Sequence, residues 1–207
     1  MLILKTIVIN AGPKRKGVNA QLARSALEGA ESVGADVEYI DLYKLDLHGC
    51  MTCLICKKEG MAGKCYWRDD VSSLIERILN ADALLISAPI FFSNPTSHYM
   101  ALLERLIYCL VSYDVGNSFN GKVNVGLFYI INYPEDYFEK SIRPQLKQSE
   151  DLLKMLNGRV VIDTFSNITQ NDYSDKSQKG IDSLKLKEEQ LRVDLEKIFK
   201  IGADLSG

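Results

Sequence analysis

The chain has 207 residues, 46% of them hydrophobic, with 25 Lys and Arg against 27 Asp and Glu. That is enough apolar material for one domain across residues 1–207, and the near-neutral balance excludes the basic surface of a nucleic-acid binder. The longest largely apolar stretch, Ala83 to Phe92, is about half of the ~20 residues a membrane span needs, and Met1 to Thr6 lack a cleavage signature, so no membrane is expected and the sequence reads as cytoplasmic.

Leu2 to Asn10 is a short apolar run that ends at a loop with Gly12 and Pro13, the pattern of a buried strand followed by a breaker. Leu22, Ala23, Ala26, Leu27, Ala30 and Val33 then recur at helical spacing up to Gly34. Ala35 to Leu42 is a second strand, and a cysteine-rich loop follows. Asp69 and Asp70 supply an N-cap and first-turn charge to a helix with Val71, Leu74, Ile75, Ile78 and Leu79 on its apolar face. Ala83 to Ser87 is a third strand, closed by Pro89. Ser97 to Ser112 is a helix, Val123 to Ile131 a fourth strand, and Tyr137 to Asn157 a helix that Pro144 should break or kink before Gly158 ends it. Arg159 to Phe165 is a fifth strand, Ser166 to Ser183 a polar loop, and Leu184 to Ile201 a final helix.

Continuous apolar strands alternating with amphipathic helices predict an α/β fold, a parallel sheet covered on both faces. Five such strands fit the flavodoxin-like order 2-1-3-4-5, a three-layer sandwich. Ligands of such sheets bind outside the carboxyl ends of the strands at the switch point, which singles out the loops after the first and third strands.

The first of these loops runs Asn10-Ala11-Gly12-Pro13-Lys14-Arg15-Lys16-Gly17-Val18-Asn19-Ala20. Its glycines let the backbone approach a ligand, its three cations surround the turn, and the helix that follows offers free N–H groups. Together these suit a phosphate; a plain strand–helix turn with a solvated basic tip is the alternative. The second runs Ser87-Ala88-Pro89-Ile90-Phe91-Phe92-Ser93-Asn94-Pro95-Thr96-Ser97. Two adjacent aromatics at a strand end cannot both face the core, so the loop offers an apolar wall with a polar rim to a flat ring, or else covers a subunit contact.

Four of the five cysteines, Cys50, Cys53, Cys56 and Cys65, fall within sixteen residues in the spacing C-x2-C-x2-C-x8-C. Compact triplets with a distant fourth thiol suit a [4Fe–4S] cluster; free or redox-active thiols fit as well, and tetrahedral zinc less well. Cys109 stands apart in an apolar helical stretch and reads as a small buried hydrophobe. His48, His98 and Trp67 read as exposed or packing residues.

These blocks, taken in order, resemble the NAD(P)H-dependent FMN reductases of the flavodoxin-like superfamily. The first loop is similar to the pattern G-S-x-R-x-x-S-x-N, with Gly12 in place of the serine and Lys14 in place of the arginine. The stretch from Pro89 to Arg105 is similar to P-V-Y-W-G-S-M-S-A-x-L-K-x-F-I-D-R, and the cysteine block resembles that of the iron–sulfur flavoproteins. The resemblance implies FMN phosphate on Gly12, Lys14, Gly17, Asn19 and Ala20, and the isoalloxazine along Pro89, Ile90, Phe91, Phe92, Ser93 and Asn94. It implies NAD(P)H as co-substrate, chemistry at flavin N5 with no protein acid or base, and a small-molecule acceptor such as a quinone, flavin or metal complex. It also implies a homodimer or homotetramer. Two alternatives remain open: an iron–sulfur electron carrier serving a protein redox partner, with the cluster on Cys50, Cys53, Cys56 and Cys65, and a non-enzymatic thiol redox sensor.

Overall fold

A computed structural model describes residues 3–166 and 175–207. In chain order the elements are β1 (Lys5–Asn10), α1 (Val18–Ser32), β2 (Asp36–Asp41), α2 (Asp70–Leu79), β3 (Ala83–Phe91) and β4 (Asn94–Pro95). They continue with α3 (Ser97–Leu110), β5 (Val111–Ser112), β6 (Gly116–Asn117), β7 (Val123–Ile131), α4 (Glu135–Tyr137), α5 (Arg143–Leu152), β8 (Asn157–Ser166) and α6 (Gln178–Ser206). The long strands pair in parallel in the order β2-β1-β3-β7-β8, the expected flavodoxin-like arrangement.

Alternate strand residues face opposite layers. Ile7, Ile9, Leu84, Ile86 and Leu127 pack with α2, α3 and α5 through Leu74, Ile75, Leu103, Leu106 and Leu146. Val8, Leu85 and Phe128 face α1 and α6 through Leu22, Ala26, Ile198 and Leu205. The helices α1 and α6 touch backbone to backbone. A Cβ on Gly29 would stand 2.1 Å from the Phe199 carbonyl oxygen, and one on Gly202 would stand 2.3 Å from that of Ala26.

Several boundaries differ from the sequence expectation, each for a physical reason. β3 runs four residues past Ser87, with Pro89 inside it. Pairing with β1 stops at Ser87, while pairing with β7 continues to Pro89. Pro89 therefore lies where one flank has no ladder to satisfy. α3 ends at Leu110 because Val111 and Ser112 turn into a two-stranded hairpin with Gly116 and Asn117. The helix expected over Tyr137 to Asn157 is a composite: a π-helical stretch, Phe138–Ile142, precedes Pro144, which sits in the first turn of α5. Arg143, the residue before the proline, donates its N–H to the Phe138 carbonyl five residues back, the wider turn of a π-helix. Asn157, with φ +60°, ends that run rather than Gly158. Gly158 is instead required by close packing, since its Cβ would lie 2.0 Å from the Val123 oxygen.

Part of the loop expected between Ser166 and Ser183, residues 167–174, lies outside the described residues, but Gln178 to Ser183 is already helical. Ser177 caps that helix by accepting from the Gly180 N–H at 3.1 Å. At its other end α6 runs past the expected limit at Ile201 and continues to Ser206. No helix among the described residues is long and apolar enough to cross a membrane.

Candidate functional site

The carboxyl ends of β1 and β3 carry the two loops singled out by sequence, and a buried polar network joins them. Asn10, at the end of β1, is fully buried. Its amide donates to Asp41 at 2.9 Å, and its side-chain oxygen accepts from the Gly12 N–H and from the Asn19 amide. Asn19 also donates to the Ser87 carbonyl at 3.0 Å and accepts from the Ser87 hydroxyl at 3.0 Å. Thr96, buried at the N-cap of α3, donates to the Ala11 carbonyl at 2.8 Å. The Asn19 side chain is thus directed inward and spent on holding the loops together. It also occupies the space a side chain at residue 12 would need, because a Cβ there would stand 2.8 Å from Asn19 Nδ2. That is a physical reason for glycine at this position.

Gly17 is the N-cap of α1. Among the described residues no side chain caps this end, and its first turn holds no acid. Lys14, Arg15 and Lys16 are exposed around it. The opening N–H groups of α1, those of Val18, Asn19 and Ala20, have no intrahelical acceptor, so this end is a cationic anion cradle. Asp41, beneath it, is desolvated by burial, but hydrogen bonds from Asn10 and Lys44 more than offset this and hold its carboxyl below its ordinary range.

The loop after β3 is a hairpin. Phe91 pairs with Asn94, and the two turn residues, Phe92 and Ser93, both take left-handed backbone at φ +49° and +66°. Such turns match strand twist but usually use Gly or Asn. Ile90 is buried, Phe91 is half-exposed, and Phe92 stands 95% exposed at the tip. The Asn94 amide closes the turn on the Phe92 carbonyl at 3.2 Å. An aromatic edge therefore stands beside the cationic cradle across the switch point. His98, in the first turn of α3, stacks on Tyr43 with ring centroids 3.7 Å apart, and burial lowers its pKa.

A second assembly lies along α3. Cys50, Cys53, Cys56 and Cys65 line one pocket with Cys109, Tyr66, Trp67, Arg105 and Tyr108. Thr52 and Leu54, both left-handed at φ +51° and +57°, flank Cys53 and coil the loop. Lys57 clamps the loop to the end of α3 by donating to the Tyr108 and Val111 carbonyls, with its amine 4.3 Å from the Tyr108 ring. Among the described residues the cysteines form no disulfide. Nor do three or more Cys, His, Asp or Glu side chains converge there on a single ion. Cys109 is buried, as its sequence context implies, but it also faces the cysteine block. Burial, and then the neighbouring Cys56 and Cys65, push its thiol far above the usual range.

Arg105 is the residue that sequence reasoning passed over. It is 2% exposed and is one of the largest fully buried side chains. Its guanidinium grips both Asp69 oxygens, the His48 carbonyl at 3.2 Å and the Ser72 hydroxyl at 2.9 Å, and it points one N–H at the Cys65 sulfur at 3.2 Å. Both ends of the cysteine loop and the cap of α2 are thereby tied to α3. Burial disfavours the Asp69 charge, but the Arg105 guanidinium overcomes it and lowers the carboxyl pKa. The available signal was a charge at a core-facing helical position, between Leu102 and Cys109.

A parallel 2-1-3-4-5 sheet with a cationic helix end and an aromatic hairpin at its switch point defines a flavodoxin-like α/β protein. The chain belongs to the NADPH-dependent FMN reductase family, whose model matches residues 4–133. It is 29% identical over 123 residues to an iron–sulfur flavoprotein of Methanocaldococcus jannaschii, covering 59% of this chain and 62% of that one. It is 26% identical over 98 residues to an iron–sulfur flavoprotein of Methanosarcina thermophila, covering 47% and 50%. The chain thus spans less than two thirds of these relatives' length. Among solved structures it resembles an NAD(P)H:quinone oxidoreductase from Methanothermobacter marburgensis, with TM-score 0.73 at 19% identity over 100% and 98% of the chains. An azoreductase from Bacillus anthracis gives 0.66 at 16% identity over 98% and 100%.

Proposed function

We propose that the protein is an FMN-dependent oxidoreductase that takes electrons from NAD(P)H and hands them to a small acceptor such as a quinone, a flavin or a metal complex, and that residues 1–207 form one FMN-binding domain. The observation that carries this reading is the uncapped, cation-ringed N-terminus of α1 locked beside the Phe91–Asn94 hairpin by the Asn10–Asn19–Ser87 network. Bound FMN supplies the hydride-accepting and electron-transferring chemistry.

The chain's task is binding and orientation. Lys14 and the backbone N–H groups around Gly17, Asn19 and Ala20 hold the phosphate, and Gly12, whose own N–H is spent on Asn10, lets the backbone come close to it. The Asn19 side chain keeps those groups in register from below. Pro89, Ile90, Phe91, Phe92, Ser93 and Asn94 line the ring, Ile90 through its backbone and the exposed phenylalanines through their faces. No acid or base is required of the protein. Fluorescence titration tests the reading: the protein quenches FMN saturably at one flavin per chain, and NADH or NADPH then bleaches the flavin without oxygen. A protein that takes up no FMN overturns it.

The cysteine pocket favours a second, compatible reading, in which the protein also carries a [4Fe–4S] cluster and passes electrons to a protein partner. Four block thiols line one space, and the donor set matches the ligation of such clusters. A cubane sets each thiolate on its own iron, so it asks for four thiols around a shared space rather than convergence on one ion. Cys50, Cys53, Cys56 and Cys65 would hold it. Iron and acid-labile sulfide near four each per chain, after anaerobic purification, support this reading; their absence after reconstitution sinks it. We also propose a homodimer or homotetramer. An open apolar groove of about 520 Å³ between α3 and α5, lined by Met100, Ile107, Val111 and Leu152, supports it.

A further inference from the structure

Two cations approach the cysteine pocket, and they are used differently. The Lys57 amine is spent on the Tyr108 and Val111 carbonyls. Among the described residues, Arg105 alone aims a donor at a sulfur. Its Nη2 lies 3.2 Å from Cys65 Sγ, and its side chain is shut away from water. A guanidinium in so dry a place needs a fixed reason to stay there. Asp69 supplies the counter-charge, His48 accepts from Nη1, and Nη2 shares its two N–H groups among Asp69, Ser72 and Cys65; among the described residues only the buried Nε is left without a partner, and these bonds hold the fork against Cys65. Cys109 lies one helical turn further along α3 and lines the same pocket. The rigid helix therefore presents both a thiol and a charge to a loop that carries the other four thiols.

We propose that Arg105 is a positioning and tuning residue for the cysteine pocket: it directs an N–H and the positive end of its ion pair at the Cys65 sulfur and so raises the reduction potential of a cluster held there. The proposal rests on the cluster reading given above. Reduction adds one electron to the cluster and makes it more negative. A hydrogen bond to a ligand sulfur and a nearby positive charge both stabilise that state relative to the oxidised one. The effect is larger in a low-dielectric surround, which the burial of Arg105 and Asp69 provides. Electron flow between flavin and cluster would then be set partly by a residue outside the ligand set.

The experiment uses the full chain, purified without oxygen and reconstituted with iron and sulfide. In the unmodified protein labelled with 15N-arginine, pulsed EPR of the reduced cluster is expected to show a 15N coupling, because Arg105 is the arginine lining the pocket. A redox titration then compares the parent with the double variant Arg105→Gln, Asp69→Asn, which removes both buried charges together. The cluster potential of the variant moves to more negative values, while the FMN potential stays where it was. Arg105→Lys restores part of the shift, since it keeps the charge and loses the fork. A loaded cluster with no 15N coupling and an unchanged potential overturns the proposal and leaves the cluster reading standing. If the double variant does not fold, the 15N measurement on the parent decides alone. A protein that binds no iron or sulfide overturns both.

Discussion

Asn19 does its work by facing away from any ligand. Its amide and oxygen satisfy Asn10 and Ser87, two polar residues with essentially no solvent exposure. Asn19→Ala strands those groups, at about 1–3 kcal/mol. The urea midpoint is expected to fall and FMN to bind more weakly; a variant with both unchanged would show the network to be idle. Asp69 makes a second residue-scale statement. Its carboxyl is held below the ~3.9 of an unfolded aspartate, so the unfolded chain takes up its proton first as the solution is acidified. The Asp69–Arg105 stabilisation is thus complete above the unfolded pKa and drains away as pH falls through the lower folded value. Asp69→Asn is expected to flatten that part of the melting temperature–pH curve. At neutral pH it costs about 3–5 kcal/mol, because it leaves a buried guanidinium unpaired.

Among the elements, the α1–α6 contact is made by two glycines, each filling a spot where a methyl group would meet backbone. Gly202→Ala is expected to destabilise by roughly 1–3 kcal/mol, read by chemical denaturation, and to loosen α6 before anything else. The β3–β4 turn behaves oppositely. Ser93 pays for a left-handed conformation that glycine adopts freely, so Ser93→Gly should stabilise by up to ~1 kcal/mol, with a higher melting temperature as the readout. A loss of stability there would mean that the hydroxyl holds something the turn needs.

The main strands could be read from continuous apolar runs and the helical faces of α1 to α3 from period-3.6 patterns, because their residues report burial directly. Gly180 and a run of polar residues hid the start of α6, where propensity had to stand in for periodicity. Pro89 was misread as an end because a missing N–H matters only where a neighbouring strand asks for it. Both loops at the switch point were legible, since topology alone places them there. The inward role of Asn19, the participation of Cys109 and the grip of Arg105 were not. Each depends on contacts between residues distant in the chain, 68 positions for Asn19 with Ser87 and 36 and 40 for Arg105 with Asp69 and Cys65, which no local window contains.

At the scale of the whole molecule, the exposed groove beside α3 bears on assembly. If copies meet there, Met100→Asp places a charge in the contact and should shift the protein to a smaller species in light scattering, with FMN binding per chain retained. An unchanged mass would place the contact elsewhere.

One helix also connects everything of interest. α3 follows its cap Thr96, which is bonded to the first loop, and ends where Lys57 seizes the Tyr108 and Val111 carbonyls; Arg105 and Cys109 lie between. It is a strut of about 21 Å by helical rise, anchored at both tips. A strut carries load. Occupancy at the flavin end should alter amide exchange around residues 50–67, and iron loading should alter it around the hairpin at Phe92. The two ends would then be coupled mechanically as well as by any electron that passes between them.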